Sequence, residues 1–223
     1  MSSIIFMTGA TEFIGSHVAK ICLEAGYSVR LSLHQSMPAV EGTLSLLKAA
    51  AKHPSIKKVV FTASVDSFVP LQQNWERMVI KETNDISLNN TPTTLGRVAQ
   101  YHASKIASFQ TVVRYAACHK PKFSIVTLHP VFVFGASLFQ ESAKDLSYDN
   151  RMLIKTLYSE TPGLRCLSGV HVIDVAEAHL HSLHCSITGL SSFLLASKAR
   201  PWRDVHSFVQ SAYPYAGFRL LPH

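Results

Sequence analysis

A short apolar run, Ile4-Ile5-Phe6-Met7, gives way to the turn Thr8-Gly9-Ala10-Thr11-Glu12-Phe13-Ile14-Gly15. An apolar run of that length, stopped by glycine, reads as a buried parallel strand. Ile14, Val18, Ile21 and Cys22 then recur at helical spacing as far as Ala25, and Gly26 ends the helix. Strand, tight turn and helix in that order are the start of a βαβ unit and point to folds with parallel strands. The turn has the form that cradles a phosphate at a helix N-terminus. Gly9 lets the chain reverse sharply, and Gly15 lets the helix pack close to the strand. Where the pattern wants a glycine between them, this chain has Glu12. Its carboxylate either repels phosphate or points to solvent. The competing reading is an ordinary βα turn.

The alternation continues along the chain. Strands are expected over Tyr27 to Leu33, Ile56 to Thr62, Phe123 to Leu128 and Ser192 to Ala196. Helices are expected over Val40 to Ala51, with Leu44, Leu47 and Ala51 inward, and over Arg97 to His119, Arg151 to Tyr158, Val172 to Leu183 and Trp202 to Ala212. Asp66 to Gly96 has weak periodicity and reads as a long irregular segment, which in a compact domain is usually functional. The expectation is an α/β doubly wound parallel sheet of Rossmann-like form, one domain over residues 1–223. Residues 136–223 would supply a small substrate lobe over the carboxyl edge of the sheet, where ligands bind in such folds.

With 47% hydrophobic and 16% charged residues the chain reads as globular, and a net charge of +7 invites a nucleic-acid partner. The basic residues are scattered, however, and Lys57-Lys58 directly precedes an apolar strand, so a mild attraction for an anionic small ligand is the better inference. Cys22, Cys118, Cys166 and Cys185 form no CxxC pair, and Cys22 and Cys118 fall within helical patterns, so buried thiols in a reducing compartment, taken as the cytoplasm, are expected. His179, His181 and His184 lack an acidic or thiol partner at ligand spacing, so no metal is expected. No membrane span or signal peptide is read. There is no Gly-x-Ser-x-Gly elbow and no pair of carboxylates at glycosidase spacing.

Chemistry is carried by Tyr101-His102-Ala103-Ser104-Lys105. A tyrosine and a lysine four apart on a helix share one face. The ammonium favours the phenolate, so such a tyrosine can exchange a proton near neutral pH. A surface tyrosine packed along a lysine stem is the bland alternative. Ser64 follows the strand Ile56 to Thr62, at the edge where a substrate would sit. There its hydroxyl can hydrogen-bond a carbonyl oxygen, although most serines so placed cap turns.

These sites lie within a longer likeness. TGATEFIG, PAVEGTLSLLKAA, KKVVFTAS, YHASK, VTLHPVFVFG and HVIDVAEAHLHSL occur in that order over nearly the whole chain. The chain so resembles the extended short-chain dehydrogenase/reductase superfamily, in its dihydroflavonol-reductase-like and yeast methylglyoxal- or aldehyde-reductase-like branch. The resemblance implies reduction of a small carbonyl substrate, a ketone or aldehyde, by NADP(H), with NAD(H) as the other choice. It makes Tyr101 the proton donor, with Lys105 lowering its pKa and holding the nicotinamide ribose, and Ser64 the group that orients the carbonyl. The backbone of Gly9, Ala10, Thr11, Phe13 and Ile14, with Gly15, would hold the pyrophosphate. His34 stands where relatives place a base for the 2′-phosphate, and Pro130 would line the nicotinamide. Relatives carry some forty to fifty residues between the second strand and the PAVEGT helix that have no counterpart between Gln35 and Pro38. One strand–helix unit is therefore expected to be absent. Two other readings stay open: a non-catalytic relative that senses cofactor or binds protein, and epimerase or hydroxysteroid dehydrogenase chemistry on the same fold.

Overall fold

The computed structural model describes residues 4–32, 39–71, 79–86, 88, 96–162 and 166–221. The order is β1 (Ile4–Thr8), α1 (Phe13–Glu24), β2 (Ser28–Ser32), α2 (Ala39–Ala51), β3 (Lys58–Thr62), α3 (Arg97–His119), β4 (Ser124–Pro130), β5 (Phe132–Phe134), α4 (Tyr148–Leu157), β6 (Cys166–Leu167), β7 (Gly169–His171), α5 (Val172–His181), β8 (Leu190–Leu195), β9 (Arg200–Pro201) and α6 (Trp202–Ala212). The architecture is α/β and Rossmann-like. The chain divides into two compact units. One comprises residues 32–130 and 178–195, the other 1–31, 131–177 and 196–223, so residues 136–223 fall partly in each.

The unit of residues 32–130 and 178–195 is built on a parallel sheet in the order β3-β4-β8. Val60 lies opposite Val126, and Thr127 opposite Ser192. β4 sits between two neighbours and is buried from Ile125 to Pro130. Its run Ile125-Val126-Thr127-Leu128 has the continuous apolar character of a strand covered on both faces. The sheet is covered by α2 and α3 through a core of Leu47, Ala50, Val112, Tyr115, Phe123 and Ile125. Leu47 is wholly buried, a contribution of about 2 kcal/mol. The Tyr115 hydroxyl donates to Leu47 O at 3.2 Å and ties the helices together. Ala50, rather than the expected Ala51, faces this core, while Ala51 is exposed. β4 also runs two residues beyond its expected end, through His129 and Pro130.

The second unit holds the pair β1-β2, the parallel pair β5-β7 and the antiparallel pair β6-β9. Its core gathers Leu157, Trp202, Val209 and Leu220. The expected burial of β1 is not found. Ile4 is 57% exposed and Phe6 62% exposed. Among the described residues β1 has one ladder neighbour, β2, so the apolar character that marked it as a strand did not secure it cover. α4 begins three residues before its expected start, because the Ser147 hydroxyl accepts from Asn150 N and caps it. The short strands β5, β6, β7 and β9 escaped the periodicity argument because two or three residues show no period. Among the described residues no helix is long and apolar enough to cross a membrane.

Candidate active site

Ser64 follows β3 and caps a single 3-10 turn, Val65–Phe68. Its Oγ accepts the Asp66 N–H at 3.2 Å. The hydroxyl hydrogen has no acceptor among the described residues and is free to donate. Two bonds fasten this turn to α3. Ser67 Oγ donates to Lys105 O at 3.2 Å, and His102 Nε2 donates to Val69 O at 2.7 Å. Ser64 is thereby held against the one helix that carries Tyr101 and Lys105.

Tyr101 and Lys105 lie one turn apart on α3, as their spacing demands. Lys105 Nζ stands over the phenol ring, 5.1 Å from its centre. Tyr101 is 54% exposed, whereas Lys105 is half-buried. Burial pushes the Lys105 ammonium below the usual lysine range, and the Asp66 carboxylate opposes that fall. A positive charge beside a phenol favours loss of its proton. Beside Lys105 lies a cleft of about 140 Å³, lined also by Thr43, Thr62, Ala63, Ser108 and Thr127. It has room for one ring-sized fragment and far too little for a dinucleotide. Ser108 Oγ is shut from solvent and has no hydrogen-bond partner among the described residues. Pro130 ends β4, buried and in register with Leu195. His34 lies outside the described residues.

The glycine-bearing turn belongs to the other unit. Gly9 takes φ +68°, and Glu12 N closes the turn onto Gly9 O at 3.1 Å. A Cβ on Gly15 would stand 2.0 Å from Gly9 O, so only glycine permits this approach of helix to turn. Glu12 is the N-cap of α1, and its side chain makes no capping bond. Among the described residues no side chain caps the first-turn N–H groups of α1, an arrangement open to an anion. Glu12 is exposed, Ala10 is buried, and Phe13 and Ile14 are half-buried. The backbone from Gly9 to Gly15 fits a pyrophosphate.

A parallel α/β fold, a glycine turn at a helix N-terminus and a Ser/Tyr/Lys set on the strand–helix frame define a dinucleotide-dependent class of protein. Residues 32–187 match the NAD dependent epimerase/dehydratase family, and the chain belongs to that family. It is an extended short-chain dehydrogenase/reductase. Among curated proteins it is 29% identical to ketoreductase sphI of Aspergillus fumigatus, over 98% of this chain and 86% of that protein. It is also 29% identical to ketoreductase CTB6 of Cercospora beticola, over 80% of this chain but only 52% of that protein. In the sphI alignment 98% of 223 residues is about 219, so about 70 of the 289 aligned positions have no residue here. Among solved structures, Gre2 of Candida albicans in complex with NADPH superposes with a TM-score of 0.80 at 20% identity, over 99% of this chain and 86% of that one.

Sequence reasoning missed the residues that hold Ser64 in place. Ser67 and His102 act through main-chain carbonyls, and no spacing rule marks such bonds. His129 was visible only as the residue before Pro130. Ser108 lies three residues after Lys105, on the same face of α3, and that spacing could have found it.

Proposed function

We propose that this chain is an NADP(H)-dependent reductase of ketones or aldehydes of small or secondary metabolites, with Tyr101 as proton donor. The observation that carries the reading is the fastening of the Ser64 turn to α3 at Lys105, which gathers a free hydroxyl donor, a phenol and an ammonium on one frame. Ser64 donates its hydroxyl hydrogen to the substrate carbonyl oxygen and polarises it. Tyr101 passes its phenolic proton to the same oxygen, and the Lys105 ammonium stabilises the phenolate left behind. The nicotinamide, when bound, supplies the hydride that completes reduction of the carbonyl to an alcohol. The backbone from Gly9 to Gly15 holds the pyrophosphate, Lys105 the nicotinamide ribose, and Pro130 lines the ring. The positive net charge favours the extra phosphate of NADP. The names of sphI and CTB6 support the substrate class. The exposure of β1 and the unmatched positions of the sphI alignment support a chain short of one strand–helix unit.

The test is oxidation of NADPH with a panel of ketones and aldehydes. Turnover should appear and should fall by about 10²-fold or more in Tyr101→Phe, with the NADPH-induced rise in Tm retained. Turnover unchanged in Tyr101→Phe would refute the role of Tyr101. A cooperative unfolding transition that neither NADPH nor NADH shifts would favour the non-catalytic reading. Membership of a family of epimerases and dehydratases supports an epimerase as the second reading. It expects interconversion of sugar nucleotides with no net consumption of cofactor.

A further inference from the structure

His129 is wholly buried, and nothing in the reaction as drawn uses it. Its imidazole packs against the rings of Phe68 and Phe109, at 4.1 and 4.8 Å between centres, and those two rings also touch each other at 5.2 Å. Nδ1 is 3.0 Å from Ser64 O, and Nε2 is 2.8 Å from Thr127 Oγ1. A carbonyl oxygen only accepts, so Nδ1 carries the proton. A neutral imidazole has one N–H, so Nε2 accepts from the Thr127 hydroxyl. That hydroxyl has then used its hydrogen, so its 2.8 Å contact with Ser192 Oγ is one that Ser192 donates. A directed chain results, from Ser192 on β8 through Thr127 and His129 on β4 to the main chain at Ser64. Burial keeps the ring neutral by pushing its pKa down to about 4.

Ser64 O also accepts from Ser67 N at 3.0 Å, within its own turn. The carbonyl thus has one donor from the turn and one from the sheet, while Oγ is held by Asp66 N. We propose that His129 is a positioning residue: by holding the Ser64 carbonyl from β4 it aims the Ser64 hydroxyl at the substrate oxygen. This rests on the reductase reading given above. A misplacement of about 1 Å in such a group can cost on the order of 10²-fold in rate, so one fixed main-chain oxygen is sufficient to matter. His129 also precedes Pro130, and the same contact ties two segments assigned to the nicotinamide end of the site.

The test compares three replacements. Phe keeps an aromatic ring packed against Phe68 and Phe109 and leaves no orphan, because Ser64 O keeps the Ser67 N–H and Thr127 keeps Ser192. Asn places an N–H where Nδ1 stands; Gln, closer to histidine in size, places its amide where Nε2 stands. His129→Phe should lower kcat about 10- to 100-fold with KM for NADPH within about 3-fold. His129→Asn should recover most of that loss and His129→Gln should not. In a Ser64→Ala background His129→Phe should have little further effect, because it acts through Ser64. A Gln variant as good as the Asn variant, or a full additional loss in the Ser64→Ala background, would overturn the proposal. If the wild type binds NADPH but reduces no carbonyl, the reductase reading fails on its own. The hold is then read from the amide resonances of residues 64–67. Wild-type positions in His129→Asn and displaced ones in His129→Phe support it, and identical spectra refute it.

Discussion

β1 and β4 are written in nearly the same alphabet and meet opposite fates. Ile4-Ile5-Phe6-Met7 and Ile125-Val126-Thr127-Leu128 are both short apolar runs that end near a turn. β4 has a parallel neighbour on each side and is buried through Pro130, whereas β1 has β2 alone among the described residues and leaves Ile4 and Phe6 largely exposed. Apolar composition therefore decides that a segment is a strand; its burial is decided by what other parts of the chain bring to its two edges and two faces. The same contrast separates two groups of candidate residues, each in its own unit. Ser64, Tyr101 and Lys105 hang on the unit whose sheet is covered, and the glycine turn follows the strand that is not.

The largest effect expected from this contrast is on stability. Leu47→Ala, in the core over β3 and β4, should cost about 2–5 kcal/mol in denaturant unfolding. Phe6→Thr on β1 should change it by about 0.5 kcal/mol or less. A loss above about 1.5 kcal/mol for Phe6→Thr would mean that something covers β1, and the contrast would collapse.

Acid should strike the covered unit. His129 titrates near 4 when folded and near 6.5 when unfolded. Between those values the unfolded chain binds more protons, so stability rises with pH across that window and is complete above it. Acidification from pH 6.5 to 4 should remove up to about 3 kcal/mol. Urea midpoints at several pH values should show His129→Phe with a flatter profile than the wild type. Profiles of equal slope would mean that His129 is not buried neutral.

The turn that follows the exposed strand β1 should be sensitive for a local reason. Gly15→Ala forces a Cβ against Gly9 O and should cost about 1–3 kcal/mol. It should also abolish the NADPH-induced rise in Tm. An unchanged rise would mean that the turn does not hold the pyrophosphate. The smallest effect concerns Glu12. Glu12→Gly removes an exposed carboxylate from a helix N-terminus and should tighten NADPH a few-fold at low salt, less at high salt. Equal affinity in both chains would place the Glu12 carboxylate away from the phosphates.

Most of the frame was legible in the residues themselves. α3 and α6 have the bounds that their periodicity gave, because their apolar stripes run their full length and a helix needs only local bonds. Tyr101 and Lys105 share a face because a spacing of four on a helix leaves no alternative. The need for glycine at Gly9 and Gly15 was likewise local, a matter of one positive φ and one close approach. What the residues could not announce was every relation between distant segments. The exposure of β1, the preference for Ala50 over Ala51 in the core, and the bonds from Ser67, His102 and His129 that hold the Ser64 turn all join parts of the chain far apart in sequence or depend on them. A strand's own residues set its backbone shape, but its ladder partners and its cover are supplied from elsewhere, and only the tertiary structure decides whether they arrive.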